Sequence, residues 1–100
     1  MKILEISKVL SNKSRIEILR WLKKPEDNFP PHQDLKHFDD GVCAQYIQKK
    51  ANLSQSTVSN YLSQLERVRL VTPTRHGKWT YYKRNEKTIQ QYLNLLNNEL

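Results

Sequence analysis

Gln55, Ser56, Ser59, Asn60 and Ser63 fall on one side of a helical period, and all are uncharged side chains that both donate and accept hydrogen bonds. A core helix has no use for such a face, and a solvated helix usually carries Glu and Lys instead. The set suits base edges in a DNA major groove, where Gln and Asn pair bidentately with adenine and Ser is permissive. Gln55, Ser56, Ser59 and Asn60 are therefore the candidate base readers. Val58, Tyr61, Leu62 and Leu65 take the opposite face and point to a core. Ser54 is a good N-cap, with the Thr57 N–H within reach of its oxygen, and hydroxyls beside free N–H groups at a helix start suit a phosphate.

The elements around this helix must aim it. Ile3, Ile6, Val9 and Leu10 predict a first helix from Lys2 to Leu10. Asn12 caps a second, from Lys13 to Lys23, whose Ile16, Ile18, Leu19, Trp21 and Leu22 spread over a wide arc; Pro25 stops it. Pro25 to Gly41 has three prolines, a glycine and five acids without periodicity, which predicts a loop with a short turn around Gln33 to His37. A short helix from Val42 to Lys50 turns Val42, Tyr46 and Ile47 inward, and Ala51-Asn52-Leu53 makes a tight turn into the polar helix. Two short helices joined in this way form a helix-turn-helix, with Lys49 and Lys50 placed for backbone contacts.

Leu70-Val71-Thr72 and Trp79-Thr80-Tyr81-Tyr82 read as strands, and His76-Gly77 between them suits a tight hairpin. Its tip, with Arg75 and Lys78, would track flanking phosphates or the minor groove, as a wing does. From Glu86 to Leu100 a last helix carries Ile89, Tyr92, Leu93, Leu96 and Leu100 along one stripe. That stripe together with Ile3, Ile6 and Leu10 exceeds what so small a core needs and predicts a dimer interface.

Charge placement agrees. Ile47 to Arg84 holds eight basic residues and the single acid Glu66, a surplus equal to the whole chain's +7, whereas Pro25 to Gly41 carries −4. Clustering of the positive excess around the polar helix favours a polyanionic partner, double-stranded DNA. One hundred residues predict one domain over 1–100, with no signal peptide and no membrane span. The single cysteine excludes an internal disulfide and fits a reducing cytoplasm.

Nearly the whole chain resembles the ArsR-type winged-helix repressors of bacteria. Leu10-Ser11-Asn12-Lys13-Ser14-Arg15-Ile16-Glu17-Ile18-Leu19 is similar to that family's second-helix opening, Leu53 to Ser59 to its recognition helix, and Leu70-Val71, Arg75 to Lys78 and Trp79 to Tyr82 to its wing. The resemblance implies a mainly α winged helix-turn-helix of about five helices with a two-stranded wing. It further implies a homodimer joined through first and last helices that binds an inverted-repeat operator and represses transcription.

Three positions depart from the family pattern. Arg69 stands where a glycine is usual, so a left-handed backbone there would cost on the order of 1 kcal/mol. Tyr61 replaces a common His. Cys43 takes the first position of the family's metal-binding Cys-x-Cys pair, but Gln45 takes the second, and the last helix has no His for the second family site. A lone thiolate makes a poor soft-metal site, so neither metal nor cofactor is expected. His32, Asp34, His37, Asp39, Asp40 and Cys43 could ligate zinc only if their loop folded back; the blander reading is a polar loop with one partly buried cysteine.

No Gly-rich phosphate loop, Gly-x-Ser-x-Gly or His-Glu-x-x-His occurs, which speaks against an enzyme. The rival class is a winged helix that binds protein or RNA. Such a module would expose apolar or charged anchors where this chain has Ser, Asn and Gln.

Overall fold

The computed structural model describes residues 3–100, so Lys2, the expected start of the first helix, lies outside the described residues. The order is α1 (Ile3–Leu10), α2 (Lys13–Trp21), α3 (Pro25–Asn28), β1 (Val42–Cys43), α4 (Ala44–Ala51), α5 (Gln55–Arg67), β2 (Val71–His76), β3 (Trp79–Arg84) and α6 (Glu86–Glu99).

Caps place the helix starts. Asn12 accepts the Arg15 N–H at 3.0 Å and Asn85 accepts the Thr88 N–H at 3.2 Å, so each supplies one of the partners that a helix start lacks. Ile18, Ile47, Val58, Leu62, Leu65, Leu70 and Val71 meet in a core that α2, α4, α5 and the base of the hairpin share. Burial of Ile6 and Tyr92, with the Ser7 and Tyr92 hydroxyls 2.8 Å apart, docks α1 against α6.

Four expectations need correction. Val42 and Cys43 form a strand rather than the first turn of a helix: they pair with Tyr82 and Tyr81, making a three-stranded antiparallel sheet in the order β1-β3-β2. β-branched Val42 lies 1% exposed against that sheet. The segment after α2 is not all loop, since Pro25 sits at the first turn of α3, where its missing N–H costs nothing. The hairpin's two-residue connection is Gly77-Lys78, one step later than expected, because His76 still pairs with Trp79. Gly77 at φ 59° takes the first central position, as a type II′ turn requires. Ile16, placed on the wide apolar arc of α2, is 39% exposed, whereas Ile18, Leu19 and Leu22 of that arc are buried.

Arg69 does adopt the left-handed conformation, at φ 64°. The Leu70 N–H bonds to Leu65 O at 3.0 Å and the Arg69 N–H to Glu66 O at 2.8 Å. These two bonds make a Schellman end to α5, with Leu65 and Leu70 buried together behind it. Arg69→Gly relieves the Cβ strain at some cost in unfolded-chain entropy. The expected net gain is about 0.5–1 kcal/mol, read as a higher melting temperature at fixed protein concentration.

Candidate nucleic-acid interface

The α4–α5 turn is held at three points. Asn52 closes α4 in the left-handed conformation (φ 55°), which Asn tolerates well, and its N–H bonds to Gln48 O at 3.0 Å. The Gln48 side-chain amide donates to Leu53 O at 3.1 Å, an anchor that periodicity alone could not reveal. Ser54 then accepts the Thr57 N–H at 3.1 Å and donates to the Thr57 hydroxyl at 2.8 Å. This arrangement leaves the Thr57 O–H able to donate outward.

Beyond that cap, Gln55, Ser56, Ser59, Asn60 and Ser63 are all exposed, while Val58, Leu62 and Leu65 are buried and Tyr61 is half-buried. The polar arc spans about 140° of the helix, with Gln55 and Asn60 at its two edges. Its first turn opens onto the sheet, for Gln55 and Ser59 line a cleft with Gln45, Gln48, Thr80 and Tyr82. Helix and wing thus present one continuous surface. At half-buried Tyr61, the Arg15 guanidinium lies 5.3 Å from the ring centroid, and Arg15 also donates to Val9 O. The departure at 61 therefore gives α2 an aromatic partner on α5.

The basic residues divide by partner. Arg75 and Lys78 are exposed at the wing tip; the Arg75 Nε–H is held on Gly77 O at 3.0 Å, and the Lys78 ammonium lies 4.9 Å from the Trp79 ring centroid. Lys49 is exposed on α4. Lys50 is turned toward α2 and α3, its ammonium 5.3 Å from the Trp21 ring centroid and 5.7 Å from that of Phe29. Arg84 grips Glu86 through two bonds of 2.8 and 3.0 Å, and Lys83 donates to Asp39 O at 3.2 Å. Part of the positive surplus is therefore committed inside the chain.

The six residues with metal-ligand chemistry do not gather. His32 is 4% exposed, ringed by Tyr46, Trp79 and Tyr81, and its Nδ1 accepts the Asp34 N–H at 3.1 Å. Burial, with the nearby Cys43 as a second cause, pushes the Tyr81 hydroxyl above its usual value near 10, so it stays protonated 3.1 Å from that same nitrogen. Asp34 accepts from Trp79 and Asp40 meets His76, while Cys43 is buried in β1. Among the described residues, no three His, Cys, Asp or Glu side chains converge as metal ligands would.

Of the residues expected at a dimer interface, Ile6 and Tyr92 instead face the chain's own core, at 2% and 8% exposure. Ile3, Leu10, Ile89 and Leu96 are half-buried and Leu93 is open. Leu4, which did not fit the apolar stripe of α1, is 77% exposed. Among the described residues, no helix is long and apolar enough to cross a membrane.

No family model matches the chain. The chain is 43% identical, over the full length of both proteins, to the uncharacterized HTH-type transcriptional regulator YbzH of Bacillus subtilis. It is 33% identical over 85 residues, covering 85% of this chain and 60% of the relative, to the putative arsenical resistance operon repressor ArsR2 of Halobacterium salinarum. In structure it resembles the homodimeric winged helix-turn-helix DNA-binding domain of a possible ArsR-family regulator from Mycobacterium bovis. That match has a TM-score of 0.66 and 20% identity, and covers 97% of this chain and 79% of the other. A capped, polar-faced α5 beside a basic-tipped wing, with a full-length relative named as a helix-turn-helix regulator, places the chain: it belongs to the HTH-type transcriptional regulators and has the winged helix-turn-helix fold.

Proposed function

We propose that the chain is a cytoplasmic, homodimeric repressor, one winged-helix domain per protomer, that reads an inverted-repeat operator with α5 in the major groove. The observation that carries this reading is the exposed, uncharged face of α5, joined without a break to the wing. Gln55, Ser56, Ser59 and Asn60 would contact base edges; Ser54 and Thr57 would meet a phosphate at the helix N-terminus. Arg75, Lys78 and Lys49 would neutralise flanking phosphates, and Lys50 adds less because its ammonium lies on Trp21 and Phe29.

The monomer leaves apolar surface open on its first and last helices, which a second copy would cover. Leu4 and Leu93 stand exposed on α1 and α6, the two helices that pack on each other, with Ile3, Leu10, Ile89 and Leu96 half-covered. Two-fold symmetry would set two α5 helices one DNA turn apart, which an inverted repeat matches. The Mycobacterium bovis domain is described as homodimeric and the Halobacterium relative as a repressor, and both descriptions support this arrangement.

The test is a salt titration of binding to a duplex spanning the promoter of the protein's own gene, with sedimentation equilibrium alongside. The expected result is twice the chain mass and an affinity that falls steeply with salt, in proportion to the phosphates neutralised. A monomer that retains no duplex at low salt would favour a protein- or RNA-binding module instead.

A further inference from the structure

The wing has less backbone support than its length requires. β1 pairs with β3 only at Tyr82 and Tyr81. Among the described residues, the two outer rungs, Arg75–Thr80 and His76–Trp79, therefore have no third strand. An isolated two-stranded hairpin is marginal in water. Yet these rungs carry the basic tip.

Side chains of the segment between α3 and β1 take the place of the missing strand. Cross-strand partners share a face, so His76, Thr74, Trp79 and Tyr81 lie together on the side of the hairpin that this segment covers. Asp40 Oδ2 lies 2.7 Å from His76 Nε2, and the Trp79 Nε1–H donates to Asp34 Oδ2 at 2.7 Å. The buried His32 ring sits edge-on to Trp79, with centroids 4.8 Å apart. Both outer-rung residues on this face are thus tied down by a segment whose net charge is −2, from Asp34, Asp39 and Asp40 against Lys36. The opposite face, with Arg75 and Thr80, stays open beside the start of α5.

We propose that Asp34 and Asp40 are positioning residues for the wing. Held from behind by two carboxylates, the tip presents Arg75 and Lys78 to DNA in one orientation, and the acidic segment strengthens binding to a polyanion although its own charge opposes it. This rests on the DNA-binding reading above. The sign is what makes it testable: if Asp40 acted on DNA only through its charge, removing that charge by any substitution would tighten binding.

The experiment compares wild type, Asp40→Ala and Asp40→Asn for binding to a mixed-sequence DNA duplex at fixed salt. Asn keeps a hydrogen-bond partner for either His76 tautomer and removes the charge. The expected order is Asp40→Asn at least as tight as wild type, and Asp40→Ala weaker than wild type by roughly three- to ten-fold, the worth of one such bond. Trp79 emission anisotropy in a Trp21→Phe background gives a second readout, lowered by Asp34→Ala and Asp40→Ala and retained by Asp40→Asn. Equal tightening by Ala and Asn, or no change in either, overturns the proposal. If wild type retains no duplex, the DNA-binding reading falls and the anisotropy comparison alone decides whether the carboxylates hold the wing.

Discussion

Gly41→Ala is expected to unfold the protein at a much lower temperature than wild type, whereas Gly77→Ala, at the other glycine, is expected to cost only about 1 kcal/mol. Both glycines have positive φ, 93° and 59°, so backbone strain alone does not separate them. What separates them is what a methyl group would meet. At Gly77, among the described residues other than its two chain neighbours, nothing lies within 4 Å of the added carbon; at Gly41 it would stand 1.9 Å from Tyr82 O and 2.7 Å from Lys83 N. Those atoms cannot yield cheaply, because Tyr82 is paired with Val42 on one side and Pro73 on the other. Either β1 leaves the sheet, uncovering Val42 and Cys43, or β3 shifts and carries the wing with it. Such a change should cost at least about 3 kcal/mol, a fall of roughly 12–24 °C in melting temperature for a domain of this size. Thermal unfolding of both variants at one protein concentration checks it. A Gly41→Ala protein that melts with wild type would mean that the chain does not cross β3 this closely.

The same crossing shows where reading residues in order runs out. Helical period and caps are local, so Asn12, Ser54 and the polar and apolar faces of α5 were legible from their spacing. The left-handed turn at Arg69 was raised only by the family resemblance, whose usual glycine there marks a backbone that Arg itself does not announce. The hairpin slipped by one position since His76-Gly77 and Gly77-Lys78 both offer a glycine, and only the pairing of His76 with Trp79 decides between them. Val42 and Cys43 became a strand because β3, nearly forty residues later, offers them backbone partners. Periodicity marked Ile6 and Tyr92 as apolar-facing but could not say whether their own chain or a second copy would cover them. The acidic segment was the least legible part. Its aspartates and histidines looked like possible ligands, and their partners on the wing lie about forty residues away.

Replacing Gln55 and Asn60 together by Ala is expected to abolish preference for the operator over mixed-sequence DNA while leaving the fold intact. Each loses a bidentate contact worth about 1–3 kcal/mol of discrimination. Both side chains are exposed and no hydrogen bond ties either to the rest of the chain among the described residues, so stability should move by less than about 0.5 kcal/mol. They stand about 140° apart around α5, too far to share a partner on the helix, so their losses should add to about 2–6 kcal/mol. Lys78→Ala provides the contrast. Its ammonium lies 4.9 Å from the Trp79 ring centroid on the exposed wing tip, so its removal should weaken operator and mixed duplexes alike and lower the salt slope by about 1. Competition binding with both duplexes, run at two salt concentrations, separates the two patterns. If the double Ala variant keeps its operator preference, base reading lies elsewhere on the protein. The next candidates would then be Ser56 and Ser59 at the centre of the arc, which hydrogen-bond donors and acceptors of either kind can satisfy and which should therefore carry less discrimination.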